Sequence, residues 1–222
     1  MNKLAIVTTM VALAAGSSNA ATIQIGSFEN PGIGDDARWL NIVAGDPGID
    51  DWTVRLGSVD LVRDTYWETP DGSYSIDVNG NELGGIATQI SDLVVGQWYQ
   101  VTFAMAGNPT GNRIRRLDID PVKYLQAHVG LSIGDPGRLR FDYTFDTSDK
   151  TLDDMGWVDV GFSFQATATE MLMGFTSRGE TASRYGAAVD NVRISEVPLP
   201  ASALLLLGGL GGLAAYRRKK TS

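Results

Sequence analysis

The stretch RLRFDYTFD, residues 138–146, sets Leu139, Phe141, Tyr143 and Phe145 at alternate positions, with Arg140, Asp142 and Thr144 between them. Strand side chains point alternately to two faces, so this spacing puts four large apolar groups on one side. A helix would need apolar residues three and four apart, so the stretch reads as a half-buried strand. The alternation recurs in WYQVTFAMA (98–106), where Tyr99, Val101, Phe103 and Met105 share a face. It recurs again in WVDVGFSFQA (157–166), with Val158, Val160, Phe162 and Phe164. Between residues 21 and 196 no stretch holds helical period for long; LQAHVGLSI (125–133) is short and contains Gly130. Turn signals separate the strands: NPGIGDD (30–36), GDPGIDD (45–51), TPDGS (69–73), NGN (79–81), GNPTGN (107–112), GDPG (134–137) and SRGETAS (177–183). Many short strands with Gly, Pro and Asp turns predict an all-β fold, an antiparallel jelly-roll β-sandwich.

The two ends are unlike the middle. Asn2 and Lys3 precede an apolar run from Leu4 to Ala15, then GSSNA with Ser18 and Ala20 in small-x-small order. This pattern predicts a signal peptide over residues 1–20 and an exported protein. At the other end, VPLPASALLLLGGLGGLAAYRRKK (197–220) holds an uncharged span, Ala201–Tyr216, followed by Arg217, Arg218, Lys219 and Lys220. As a helix the span is about 24 Å long, slightly short of a bilayer core of roughly 30 Å. Pro198 and Pro200 fit a helix start, and the basic cluster is a membrane stop that stays cytoplasmic. The expected organisation is a signal peptide (1–20), one β-sandwich domain (21–196), and a C-terminal segment (197–222) with a transmembrane helix and basic tail.

Charge and cysteine narrow the function. Lys3 and the four basic residues of 217–220 lie in the terminal segments, which leaves 13 basic residues against all 26 acidic ones, a net charge of −13 for 21–196. A surface this acidic argues against nucleic acid and anionic lipid as partners. It suits an exported protein that meets divalent cations. With no cysteine, the chain has no disulfide and no thiol chemistry, so the core must hold by burial, aided where possible by a metal.

Few motifs carry chemistry. The single histidine, His128, lacks a triad or zinc set in QAHVGL and reads as an ordinary residue. Asp35–Asp36, Asp50–Asp51 and Asp153–Asp154 are the carboxylate doublets a glycoside hydrolase would need, but beside Gly and Pro such doublets commonly cap turns. DVNGNELGG (77–85) begins like a calcium loop, yet Glu82 stands where Gly is needed and Thr88 where a bidentate Glu is needed. It reads as a hairpin turned at Asn79–Gly80. GSFENPG opens the middle region with Glu29, and AAVDNVRIS closes it with Asp190. First and last strands are often neighbours in a sandwich, so these two carboxylates could share a hard cation. By spacing alone a solvated glutamate and a turn-starting aspartate fit equally well. Of Trp39, Trp52, Trp67, Trp98 and Trp157, the pair Tyr66–Trp67 in DTYWETPDGS lies beside a turn and is the candidate carbohydrate-binding platform.

Two resemblances follow. The tail, with Val197, Pro198, Leu199, Pro200 and Ala201 before the apolar span and RRKK, resembles a PEP-CTERM sorting signal of the VPLPA type. That implies an exosortase-like transpeptidase as partner, with the helix a temporary inner-membrane anchor. The middle resembles the choice-of-anchor C domain through GSFENPG, WTVRLGSVDLV (52–62), Tyr66–Trp67, GSYSIDVNG (72–80), GGIATQI (84–90), YQVTFAMAGNP (99–109) and AAVDNV (187–192). One departure is Ile25, where the family start usually has Asn. The resemblance implies a galactose-binding-like sandwich with structural calcium at Glu29 and Asp190. The expected function is non-catalytic binding of cell-surface or matrix polysaccharide in the envelope or extracellular matrix. The alternatives are a structural matrix protein without glycan affinity and a carboxylate-dependent glycoside hydrolase.

Overall fold

The computed structural model describes residues 22–29, 37–46, 49–113, 119–132, 134–179 and 184–198. The expected signal peptide (1–20), residues 199–222 and Asp35–Asp36 lie outside them. Among the described residues two antiparallel sheets face each other. The larger runs β10 (Val158–Gln165), β7 (Trp98–Gly107), β12 (Ala187–Glu196), β5 (Tyr74–Asp77), β4 (Ser58–Arg63), β2 (Trp39–Val43), with β1 (Thr22–Gly26) also on β12. The other runs β3 (Thr53–Leu56), β6 (Gly85–Ile90), β11 (Met171–Arg178), β8 (Val122–Gly130), β9 (Leu139–Asp146). Each alternating stretch is a strand, and LQAHVGLSI supplies most of β8.

β12 organises the larger sheet. One edge pairs along β7, from Ala187↔Gly107 to Glu196↔Tyr99. The other edge is shared: Ala188 and Val189 pair with Asp77 and Ile76 of β5, while Val192–Ser195 pair with β1. The first and last strands are therefore neighbours, as expected. Where the partners change, the register shifts between Asp190 and Arg193, and Asn191 takes φ 51°. This is a β-bulge, which turns side chains away from plain alternation.

The core lies between the sheets. Phe28, Trp52, Phe103, Phe164 and Phe175 are fully buried. Trp52 stacks on Phe175 at 5.7 Å and meets the edge of Phe28 at 5.7 Å. Phe103 meets Phe175 edge-on at 4.8 Å. Such aromatic pairs stabilise beyond their area, by about 0.5–1.5 kcal/mol each. The Trp52 indole N–H also donates to the Ile25 carbonyl, which ties β1 to the core.

Two turns differ from expectation. Asn79–Gly80 does not close a hairpin, because β5 and β6 lie in opposite sheets. Residues 78–84 cross between them, held by an Asn79↔Leu83 bridge, Gly80 N–H to Ser58 and Gly84 N–H to Val78. A Cβ on Gly84 would stand 2.1 Å from the Ser58 carbonyl oxygen, so the crossing needs glycine. GNPTGN holds one helical turn, α1 (Thr110–Arg113), capped where Asn108 Oδ1 accepts the Thr110 amide at 3.0 Å.

Candidate functional site

At the bulge of β12 Asp190 lies within electrostatic reach of Glu29 and Asp71. Phe28 takes φ 57°, which turns its ring into the core and leaves Glu29 exposed. Glu29 accepts the amides of Ser73 and Tyr74 at 2.9 and 3.0 Å, fixing the turn before β5. A Cβ on Gly72 would strike the Glu29 carboxyl at 2.3 Å, which accounts for glycine there. Asp71 accepts from Gln24 Nε2 at 2.7 Å. Asp190 is fully buried; its Oδ1 accepts the Asn191 amide at 2.6 Å, while its Oδ2 has no hydrogen-bond partner. Burial pushes the Asp190 carboxyl up to about 8; the charges of Asp71 and Glu29 add to this, and the amides of Asn191 and Asp71 oppose it. The structure thus brings the two expected metal residues together and adds Asp71, which spacing did not reveal.

An orphaned buried carboxylate oxygen beside two more carboxylates is chemistry that a hard divalent cation satisfies. Among the described residues no three Asp, Glu, His or Cys side chains are gathered so as to hold a metal by themselves. Calcium takes six to eight oxygens, so backbone carbonyls and water would complete the shell.

A second buried carboxyl, Asp77, lies under the 108–110 and 184–187 segments. It accepts from the Asn79 amide at 2.9 Å, Asn108 Nδ2 at 2.8 Å and the Gly186 amide at 3.0 Å. Complete burial still pushes it up to about 8, with the nearby charge of Asp60 adding to the shift. Its three donors bind three separate stretches of chain, which makes it a structural clasp.

The aromatic platform needs correction. Trp67 is 1% exposed and donates through Nε1 to Ser75 Oγ at 2.7 Å, so it is core and cannot stack on a sugar. Tyr66 is half-buried, with its hydroxyl 3.2 Å from Thr110 Oγ1. The open ring here is Trp39, 49% exposed, packed 5.1 Å from Tyr66. Trp39 opens β2 and Trp67 lies in the loop between β4 and β5; only the tertiary packing shows which ring is open.

The outer face of the five-stranded sheet holds the other candidate surface. Register carries one row across it: Thr53, Ala87, Gly174, His128, Arg140. The next row is Leu56, Gly85, Thr176, Gln126, Asp142. Small residues at the centre leave an open depression of about 220 Å³, with Arg55, Arg138 and Arg178 around Gln126, His128 and Thr176. Gln126 and His128 are buried although they face outward. Gln126 donates to Asp142 Oδ1 at 2.8 Å and accepts from Arg178 Nη2 at 2.7 Å, which fixes that guanidinium. The His128 ring lies over Gly174, whose Cβ would stand 2.7 Å from Nε2. Burial, then the charges of Arg138 and Arg140, push His128 down to about 4, against a weak opposing contribution from the Gln126 backbone. It is neutral at physiological pH, and its buried Nδ1 has no hydrogen-bond partner.

Of the other carboxylate doublets, Asp153–Asp154 sits in a turn closed by the Thr151↔Asp154 bridge. Asp50–Asp51 sits in the Ile49↔Trp52 turn, with Asp50 at φ 51°. Both act locally as turn residues. Among the described residues no helix is long and apolar enough to cross a membrane.

Residues 21–195 match the family described as protein of unknown function DUF642, and the chain belongs to that family. A curated relative is halomucin of Haloquadratum walsbyi, 29% identical over 176 residues. The match covers 78% of this chain but 2% of halomucin's length. Among solved structures the chain is similar to the CBM22-1 xylan-binding domain of Paenibacillus barcinonensis Xyn10C, at 14% identity and TM-score 0.45, covering 72% of this chain and 95% of that one. It is also similar to TmCBM61, solved with β-1,4-galactotriose, at 11% identity and TM-score 0.41, covering 72% and 88%. A family 35 carbohydrate binding module from Clostridium thermocellum aligns at 14% identity and TM-score 0.41, covering 70% and 97%.

Proposed function

We propose that the protein is an exported, non-catalytic glycan-binding module of the cell envelope or extracellular matrix. The observation that carries this reading is the outer face of the five-stranded sheet. It is open and shallow, its central residues are small, and fixed donors and acceptors surround them. An extended polymer of hydroxyl-rich rings needs such a surface: room along the sheet and polar groups already oriented. Trp39 and Tyr66 form a second surface on which a ring could stack. The proposal includes export by the N-terminal segment, a choice-of-anchor C identity for the domain, and sorting by an exosortase-like transpeptidase at Val197–Ala201. It also includes structural calcium held by Asp190 and Glu29, with Asp71 beside them.

The test is a polysaccharide retention screen of the purified protein with reducing ends assayed in the same wells. Saturable binding to at least one envelope polysaccharide, without new reducing ends, is the expected result. Release of reducing ends lost with a single Asp or Glu change would make the protein a hydrolase. A folded protein that retains nothing across the panel would instead be a structural matrix component, working through its attachment.

A further inference from the structure

We propose that the depression on the outer face of the five-stranded sheet is an anion subsite that takes a carboxylate- or sulfate-bearing sugar of an acidic polysaccharide. The inference rests on the glycan-binding reading and narrows it to a chemical class. Four of the 13 basic residues of 21–196 collect here: Arg55 from β3, Arg138 just before β9, Arg140 within it, and Arg178 at the end of β11. They come from three strands that only sheet register unites. Like charges brought together repel, and this chain has acidic residues in excess with which to neutralise them. Yet among the described residues none of the four forms a salt bridge.

The nearby carboxylates are committed elsewhere. Asp135 accepts the Leu131 and Gly137 amides at 2.8 Å each, shaping the turn into β9. Asp142 takes the Gln126 amide and reaches Arg178 only through that side chain. Glu170 accepts from Gln89 at 2.8 Å in a neighbouring hollow. Asp135 still acts on Arg138 and Arg140 through its charge, but no carboxylate pairs directly with a guanidinium here, so the depression keeps guanidinium groups free of direct ion pairs around a partly dehydrated floor.

That floor supplies a second, independent observation. His128 is 4% exposed and its Nδ1 lacks a hydrogen-bond partner, and Arg138 Nε is likewise buried without one. Unsatisfied buried polar atoms are costly, and two beside one depression call for a partner that a ligand's arrival could reorder them to meet. Guanidinium forks match the paired oxygens of carboxylate and sulfate. The overall negative charge does not forbid this, because salt screens distant charges beyond roughly 8 Å and leaves the local cluster to decide.

The experiment measures binding of the full chain to oligogalacturonate, dextran sulfate and uncharged dextran, at low and high salt. Neutral glycans retained in the general screen are run alongside. At least one acidic glycan should bind more tightly than its uncharged counterpart and weaken with salt; which one distinguishes carboxylate from sulfate. Arg178→Gln and Arg138→Gln should each lower that affinity about tenfold or more, from loss of a charge-assisted hydrogen bond. Arg193→Gln, on β12 of the other sheet, should leave it unchanged. Arg178→Lys should recover only part of the loss, since it keeps the charge without the fork. Arg140→Gln, at an exposed side chain, serves should Arg138→Gln fail to fold. If neutral glycans bind and acidic ones do not, or if the arginine variants bind as the parent does, the anion subsite is wrong while the glycan-binding reading stands. If no glycan binds, both are wrong.

Discussion

In EDTA, between about pH 5 and pH 8, the protein loses on the order of a few kcal/mol of stability per buried carboxyl as the pH rises. Asp77 and Asp190 cause this. Their folded-state values stand at about 8, against 3.8 for the free side chain. In the unfolded chain both lose their protons near pH 4, while the folded protein keeps them. The folded state binds more protons through this window, so stability is full below the unfolded value and is lost as pH climbs through the folded one. His128 has the opposite sign: its folded value is about 4 against 6.5. Its contribution is lost as pH falls from 6.5 toward 4, so it offsets one carboxyl there and nothing above. The decline therefore steepens above pH 6.5.

Calcium separates the two carboxyls. A divalent cation at Asp190 favours the ionised form, so calcium should remove about half the slope above pH 6.5, nearly all of it below, and raise stability most at high pH. At a hundredfold excess over its dissociation constant it should add about 2.7 kcal/mol. Asp190→Asn should show half the slope above pH 6.5 in EDTA, with a nearly flat profile below, and ignore calcium. Asp77→Asn should do the same to the slope but keep the calcium response. Urea melts across pH, in calcium and in EDTA, check all four. Equal slopes with and without calcium would rule out a cation at the bulge, and a flat profile would show that neither carboxyl holds its proton.

Trp52→Ala should destabilise the domain by about 3–5 kcal/mol, the range for truncating a buried tryptophan. At this chain length that lowers Tm by about 10 °C. Trp52 is fully buried between Phe28 and Phe175 and holds the Ile25 carbonyl. Truncation opens a cavity and frees β1 together. Trp52→Phe isolates the second effect: most packing stays, but the Ile25 carbonyl loses its donor, at about 1–3 kcal/mol. Because β1 leads directly to Glu29, both variants should also weaken the calcium response. A cost below about 1 kcal/mol for Trp52→Ala would place the cooperative core elsewhere.

Period-two alternation made β7, β9 and β10 readable from the sequence, since an exposed–buried alternation writes itself into side-chain polarity. The neighbouring first and last strands were likewise legible. The β5–β6 relation was not: Asn-Gly favours a tight hairpin locally, and the chain crosses between sheets only because Ser58 and Val78 accept the backbone of 80 and 84. Trp67 was misplaced because a turn beside a residue does not fix which way its ring points. The nearness of Glu29 to Asp190 was legible but that of Asp71 was not, since it joins them through a turn that Glu29 itself holds. The arginine cluster left no local signal at all. Arg55 and Arg178 are far apart in sequence, and only the strand order β3-β6-β11-β8-β9 puts them on one surface.

The β1–β12 pairing also determines how the domain answers force. Thr22 lies opposite Ser195 and Gly26 opposite Val192, so the outer ends of both strands leave from the same side. Tension drawn through residues 21 and 197 loads the Thr22 pair first and opens the rungs singly, as a zipper, rather than shearing them together. β12 is fastened to β7 by eight residue pairs against four to β1, and Val197 adds a bond to the Trp98 carbonyl. β1 should therefore peel away while the rest of the sandwich holds, giving a short, low-force extension step before the main rupture in single-molecule pulling. Because β1 runs into Glu29, a module pulled from its ends would surrender the Glu29–Asp190 corner first, making that corner a mechanical fuse.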